Sequence, residues 1–587
     1  MYKPMLPTLS EDVPKGKDWV YEVKYDGFRC LLEWTEKGFR LISRNGKDLT
    51  AAFPEIKDWA QSYIEKAKKH FPLLLDGELV ILNTSIQTNF FLLQTRSRVK
   101  TEARIKKDVR SRPATFMAFD IVQFEGAGFC QRTFFERRKK LEELFKELGW
   151  DDFHFSKRIN LVESWKNLSE LLEKLYIHRG EGIVAKRTQS FYEDGKRSRQ
   201  WLKIKNWKTV TGFLQAWDEN NGYYALGLTN GTSLGRVKHG FSSEEVSTLS
   251  AFIKDKGKKA ATGIWTIPPA IPMDVHCLGA TPGELREPIF DRFRFDVDVE
   301  ECTTERVNYG LAQMPLEVEV TNPDKELFPG ATKQDLLVYL RVMAPFLLER
   351  LNKKPLTLIR YPDGIHQQSF YQKHLPDYAP EFVKGWKLEG EEEFFIGCEN
   401  LASLIWLGNQ GTIEYHVPFQ RLGEEMPDEI VFDLDPPSVE KFQIAVFAAQ
   451  LIHEMTEGMG YYSFAKTSGR KGLQVHIPLK NQPMTFDETR EFTEAVANVI
   501  VDKHPEYFTI ERMKKNRGER VYIDYIQHAA GKTIIAPYSP RASEHATVAT
   551  PLFWEEVNEN LDPTQFTIFN VPQRVEEKGC PMLLTWD

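Results

Sequence analysis

The feature that most constrains this chain is a repeated one: apolar runs of strand length, each broken by one or two charged residues. "WVYEVKYDGF" (19–28) sets Glu22 and Lys24 in such a run, and "LLLDGELVIL" (73–82), "FMAFDIV" (116–122), "GEGIVAKR" (180–187) and "SRQWLKIKNW" (198–207) repeat the pattern. A charge inside a strand sits in partly desolvated surroundings, at a cost in free energy unless something compensates. Residues two apart share a strand face, so Glu22 and Lys24 point the same way. Strands that all carry such interruptions converge on one polar cleft. Lys24 then reads either as an edge lysine or as a nucleophile activated by burial and by neighbouring cations.

A chain of 587 residues is too long for a single core. Up to residue 205, strand-like segments alternate with amphipathic helices such as "ERRKKLEELFKEL" and "SWKNLSELLEKLYI". Over 206–300 the character changes to short strands and Gly-Asn turns, as in "TVTGFLQAWDENNGYYALGLTNG", which predicts a small β-barrel of OB type. Residues 301–315 lack periodicity and read as a linker. From 316 to 587 helices and strands mix again, and a second α/β unit is expected. The fold class is therefore multidomain α/β with an inserted barrel.

Composition excludes several classes. No apolar run is long enough to span a bilayer. The six cysteines include no C-x-x-C pair, which argues against a zinc ribbon and a disulfide framework. The first twenty residues lack the basic start and apolar core of a secretory signal, so the bacterial cytosol is the expected setting. A net charge of -7 gives no global positive field, yet "RSRVKTEARIKKDVRSR" (96–112), "FERRKKLEELFKEL" (135–148) and "ERMKKNRGER" (511–520) are local basic runs suited to phosphate contacts.

The polar cleft of the first unit suits nucleotidyl transfer through a phosphoramidate, in which a lysine amine attacks the α-phosphate of a nucleoside triphosphate. That reaction calls for cations against phosphate (Arg29, Arg44, Lys203, Lys205), carboxylates for a divalent metal (Glu78, Glu181) and an aromatic face for the base (Phe119). "EVKYDGFR" resembles the K-x-D-G-x-R signature of covalent nucleotidyltransferases, which include ATP-dependent DNA ligases, RNA ligases and capping enzymes. "SRNG" (43–46), "DGEL", "FMAFD", "EGIVAK" and "WLKIK" resemble the later motifs of that superfamily in order and spacing. The resemblance implies that Lys24 carries AMP, Glu22 contacts adenine, Phe119 stacks on it, and Arg29 and Arg44 bind ribose or phosphate. It further implies that Glu78 and Glu181 serve metal or ribose, and that Lys203 and Lys205 serve the phosphates. The family's Arg-x-Asp-Lys element is altered: Arg294 and Asp296 align, but Val297 stands in place of the lysine, with Arg292 as a possible substitute.

In the second half, "DEIVFDLDPP" (428–437) ends a strand with Asp433 and Asp435 on one face, and "ERVYIDYIQ" (519–527) adds Asp524. Such a set can hold two divalent cations about 3.5–4 Å apart. "KTSGRKGLQVHIPL" (466–479) places Ser468 and Lys471 in a glycine-rich loop whose amides can cradle a triphosphate. His416 lies in the apolar run "GTIEYHVPFQRL" and is either a satisfied core residue or a nucleotide contact. These stretches resemble the primase-type polymerase domain of DNA ligase D over roughly 316–560. In that family the three aspartates bind metal, and the Ser-Gly-x-Lys-Gly loop and nearby histidines bind the incoming nucleotide. Here Gln474 stands where the family has histidine. His476, on the same strand face, is expected to replace it, or Gln474 to reach a phosphate itself.

The order of units matches the two-activity form of DNA ligase D. The resemblance implies an enzyme using ATP, Mg²⁺ or Mn²⁺ and NTP or dNTP substrates, which extends and seals double-stranded DNA ends, nicks and short gaps. It implies action with the end-binding protein Ku, no membrane association and a monomeric state. Two alternatives stay open: an RNA ligase or capping-type enzyme fused to a primase, and a non-catalytic end-bridging scaffold.

Overall fold

The computed structural model describes residues 2–281 and 283–584. The first unit holds two sheets facing one cleft. Its walls are β1 (Trp19–Val23), β2 (Phe28–Thr35), β3 (Leu73–Val80), β4 (Thr115–Phe124), β5 (Gly182–Arg187) and β6 (Arg197–Lys205). In one sheet β5 runs antiparallel between β1 and β6; in the other β3 runs antiparallel between β2 and β4. β4 is buried along nearly its whole length. Its alternation sends Phe116 and Ala118 into a core shared with Leu141 and Phe145 of α1 (Phe134–Leu148). Met117 and Phe119 go to the opposite core, with Tyr21, Ile183 and Trp201 from the facing sheet. Helix α2 (Leu168–Ile177) covers the outer side of the β1 sheet.

β7 (Lys208–Asp218) opens the barrel, followed by Tyr223–Gly227, Ser233–Val237 and α3 (Ser243–Lys256), whose start is fixed by a Ser242–Glu245 capping box. The long β8 (Ile264–Cys277) pairs with β7 on one edge and with Ile289–Phe293 on the other. A helix between the third and fourth strands is the OB arrangement.

The supposed linker is structured. Residues Thr304–Ala312 form α4, capped by the Thr303 hydroxyl, which accepts from Arg306 N at 3.2 Å. Val307 enters the barrel core, and a Cβ at Gly310 would strike the Thr209 carbonyl oxygen, so the helix lies hard against β7. With only Val307 and Ala312 buried, its periodicity is too sparse to read from sequence.

After a short hairpin (Glu326–Phe328 with Ala331–Thr332), the third unit has the long helix α5 (Lys333–Leu351) and, besides two two-stranded sheets, two larger ones. One contains β9 (Thr412–Pro418). The other contains β10 (Glu429–Asp435), β11 (Phe464–Thr467), β12 (Leu473–Pro478) and β13 (Val521–Asp524), with β10 between β12 and β13. β14 (Thr533–Ile535) pairs with β9 in the first sheet, and α6 (Val571–Lys578) comes near the end of the chain.

The units interlock through arginines that cap carbonyls. Arg341 of α5, fully buried, donates to Gln313 O (2.9 Å), Tyr176 O (2.6 Å) and Ile177 O (3.2 Å). Arg112 donates to Val575 O (3.4 Å) and Glu576 O (2.9 Å) in the last turn of α6, where the helix dipole favours a cation. No helix among the described residues is long and apolar enough to cross a membrane.

Candidate active sites

Lys24 lies just beyond β1, where its backbone N–H donates to Gly182 O at 2.9 Å. Gly27 is required by the turn that follows, since a Cβ there would collide with the Leu79 carbonyl oxygen. The two sheets enclose a cleft of about 180 Å³ lined by Glu22, Lys24, Arg29, Arg44, Glu78, Phe119 and Lys203, together with Lys186 and Trp201. Cross-strand register explains the grouping: Glu22, Val184 and Lys203 are successive partners across β1, β5 and β6, and Arg29 faces Glu78 across β2 and β3.

The nearest charge to Lys24 is a carboxylate rather than a cation, as Nζ lies 2.6 Å from Glu181 Oε2. Burial pushes the Glu181 carboxyl up against the pull of Lys24. Burial pushes Glu78 up to about 8 against the pull of Arg29 and Lys24, with Glu181 and Asp76 adding smaller pushes in the same direction as burial. Arg29 is held by a two-pronged contact with Asp76 (2.7 and 2.6 Å), and its guanidinium sits 4.3 Å from the Phe119 ring centre. Its role is thus to floor the pocket as well as to offer charge. Arg44 is exposed at the rim.

Lys186, within "EGIVAK" but given no role by the sequence reading, is decisive for packing. It is 2% exposed, pairs with Glu22 Oε2 at 2.6 Å and stands over Phe119 and Trp201 at 4.3 Å each. Burial raises Glu22 and lowers Lys186, against their mutual attraction. Burial also lowers Lys203. Lys205 departs from expectation: its ammonium is captured by Glu287 of the barrel, outside the cleft. Beside it, Arg286 pairs with Asp26, so the barrel is anchored at the mouth of the site, where a second cavity of about 360 Å³ opens between the units. Val297, in the lysine position of the family element, is buried with Phe213 and Cys302 in a small apolar cluster. Arg294 is tied to Asp274 (2.9 Å) and Asp296 (2.8 Å), and Arg292 to Asp274 (3.1 Å).

In the third unit, Asp433 and Asp524 face each other directly across β10 and β13. Burial, with the nearby Asp524 and Asp435, pushes Asp433 up to about 6 despite a hydrogen bond from Gln474. Asp435 is turned to Lys471 (3.1 Å) and Arg517 (3.2 Å). Among the described residues no three carboxylate, imidazole or thiol groups converge on a metal position as they stand. The donor chemistry nevertheless fits a cation: Asp433, Asp435 and Asp524 crowd together, and burial beside the other two raises Asp433.

Ser468 accepts from Gly472 N (3.0 Å) and Arg470 N (3.3 Å), shaping the loop. Gly469 adopts φ +71°, and a side chain there would press on Arg541. His416 pairs with Glu414 Oε2 at 3.1 Å. Burial would raise Glu414, but His416, Arg541 and Arg470 hold it at about 2. Arg470 and Arg541 were missed by the sequence reading, although both lie in segments rich in basic residues. His476 must be corrected: it is fully buried, bonded through Nδ1 to Glu429 at 2.7 Å and stacked on Phe464, away from the aspartates. Gln474 is likewise no phosphate contact. It is 3% exposed and donates to Asp433 Oδ1 at 3.1 Å.

Comparison with known proteins agrees with this architecture. Residues 4–205 match the ATP dependent DNA ligase domain family, and residues 332–582 match the LigD primase-polymerase domain family. The chain is 39% identical over 585 residues to the bifunctional non-homologous end joining protein LigD of Bacillus subtilis (strain 168), covering 98% of this chain and 95% of the relative. The chain belongs to the LigD family. It carries an ATP-dependent DNA ligase domain and a primase-polymerase domain. It is also 27% identical to the multifunctional LigD of Pseudomonas aeruginosa, covering 98% of this chain and 71% of that one. Among solved structures, the polymerase domain of Mycobacterium tuberculosis ligase D in complex with DNA is 28% identical and covers 46% of this chain and 98% of that one, with a TM-score of 0.43.

Proposed function

We propose that the chain extends and seals broken DNA ends in non-homologous end joining, the process named for its Bacillus relative. The observation that carries the ligase half is the placement of Lys24 Nζ, 2.6 Å from Glu181, in the same cleft as Arg29, Phe119 and Lys203. Glu181 Oε2, 2.6 Å away, would take the proton of Lys24 and pass it on to solvent, and the freed amine attacks the α-phosphorus of ATP. A nitrogen–phosphorus bond forms, the bond to the β-phosphate oxygen breaks, and pyrophosphate leaves. Phe119 offers a face for adenine, while Lys203, Arg29 and Arg44 meet phosphate charge. AMP then passes to a DNA 5′-phosphate, and the 3′-hydroxyl displaces it. Glu78 and Glu181 would hold a divalent cation, Mg²⁺ or Mn²⁺, which when bound neutralises phosphate charge.

In the polymerase half, Asp433, Asp435 and Asp524 would hold the cations of nucleotide addition. Ser468, Lys471, His416 and Arg541 would meet the triphosphate. The order of events follows from geometry, since a gap must be filled before a 3′-hydroxyl can reach the adenylylated phosphate. DNA as partner is supported by the DNA ligase family of the first unit and by the Mycobacterium tuberculosis polymerase domain, solved in complex with DNA. Ku as partner rests on the family resemblance. A cytosolic setting is consistent with the absence of a spanning helix among the described residues. The test is incubation with α-labelled ATP and a divalent cation, followed by a denaturing gel. Label should remain on wild type and vanish from Lys24→Ala. An unlabelled wild type, after pyrophosphate treatment to strip bound AMP, refutes the ligase reading.

A further inference from the structure

One face of the polymerase sheet carries a line of polar side chains across neighbouring strands. Asp524 of β13 pairs with Asp433 of β10, Asp433 pairs with Gln474 of β12, and Gln474 pairs with Lys466 of β11. The row therefore reads carboxylate, carboxylate, amide, ammonium. Lys466 has no exposure to solvent, and its ammonium donates to Gln474 Oε1 at 2.5 Å and to Ile535 O at 3.1 Å. Ile535 lies on β14, paired with His416, so Lys466 also ties the aspartate sheet to the sheet carrying His416.

A primary amide can present either end to a carboxylate. Its NH₂ attracts, and its oxygen repels. Lysine has donors and no acceptor, so only the oxygen of Gln474 can face Lys466. With Oε1 taken, Nε2 must point at Asp433 Oδ1, where it lies at 3.1 Å. Gln474, 3% exposed, is shut off from bulk solvent. We propose that Lys466 is a positioning residue of the polymerase: by fixing the direction of the Gln474 amide it sets the orientation in which Asp433 meets its divalent cation. The inference rests on the reading that Asp433, Asp435 and Asp524 hold that cation. It also accounts for the glutamine, because this position needs a two-ended group that a buried lysine can orient.

The test is Mn²⁺ binding to the full chain, with the metal alone, followed by the loss of the free-ion magnetic resonance signal. Asp433→Asn defines the polymerase component; if it removes none of the binding, both the metal reading and the inference fall. Lys466→Met should weaken that component about tenfold or more, the usual cost of losing an outer partner of a metal ligand. Lys466→Gln, which keeps a donor but no charge, should stay within about threefold of wild type. A loss equal to that of Lys466→Met would overturn the orientation argument in favour of plain charge or packing. Gln474→Met should match Lys466→Met, and the double variant should lose no more than either single one. Additive losses, or wild-type affinity in Gln474→Met, sink the inference even if Lys466→Met fails to fold. Nick sealing by the same preparations reports whether the chain is intact.

Discussion

The adenylation cleft and the polymerase row are both built from charged side chains on adjoining strands, yet they balance charge in opposite ways. In the cleft three carboxylates each have a cation of their own: Glu22 with Lys186, Asp76 with Arg29, Glu181 with Lys24. In the polymerase, Asp433 and Asp524 face one another, and Gln474 supplies Asp433 with a dipole rather than a charge. The first arrangement stores a lysine ready to exchange one partner for a phosphate. The second stays short of positive charge until a cation arrives from outside. One protein thus prepares two phosphoryl chemistries, one through a nucleophile of its own and the other through borrowed charge.

The comparison breaks most sharply by removing the key group of each site. Lys24→Ala should reduce self-adenylylation and nick sealing below detection while primer extension continues. Asp433→Asn should cut primer extension by at least about a hundredfold, beyond the range for an outer partner, while label still attaches to Lys24. Parallel label-transfer and extension assays check both, and loss of both activities in either variant would erase the distinction.

A smaller effect tests whether internal pairing in the cleft is obligatory. Lys186→Met strands Glu22, whose next cation, Arg138, lies 3.7 Å away. Breaking a buried pair in this way should cost about 3 kcal/mol in the unfolding transition of the first unit, seen in urea by tryptophan fluorescence. A midpoint equal to wild type would mean that the pair is dispensable.

Glu78 gives the comparison a pH axis. Its folded pKa of about 8 lies above the ordinary 4.5, so the folded state binds the extra proton between those values. Wild-type stability should therefore fall as pH rises from about 4.5 to about 8. Glu78→Gln removes this slope. The variant should equal wild type near pH 4.5 and exceed it by about 2 kcal/mol above pH 8, allowing for partial solvation of the carboxylate. Melting curves of the cation-free proteins across that range decide it, and a difference independent of pH refutes it.

The smallest effect concerns the join between the sites. Arg341→Ala removes donors to Gln313, Tyr176 and Ile177. Extension and sealing measured separately should be unchanged, while gap filling followed by sealing in one reaction should slow by about threefold as the effective concentration of one site near the other falls. An unchanged coupled rate would show that the units work independently.

What the sequence disclosed follows from local periodicity. Alternation places Glu22 beside Lys24 and Asp433 beside Asp435, and strand length marks the runs that carry them. What it hid depends on which strand comes to lie opposite. Lys186 stands in a stretch recognised at once, but its partner Glu22 comes from the far end of the unit. Lys203 and Lys205 look equivalent by spacing, yet Glu287 of the barrel captures only the second. His476 and Gln474 share a strand face, but Glu429 draws the histidine into the core while Asp433 holds the glutamine at the site. Helix α4 was invisible because a single glycine lets it lie on β7, and close approach of backbone leaves little apolar pattern to read.

The Arg341 clamp bears on how such a protein can be taken apart. A polymerase cut free at residue 316 would carry a guanidinium whose three carbonyl acceptors all lie upstream of the cut. Beginning the fragment before Thr303 restores the Gln313 carbonyl and helix α4, but then bares the helix face that carries Val307, which packs into the barrel core. Neither cut is neutral, so an excised polymerase would differ from the native one in solubility as well as in partners.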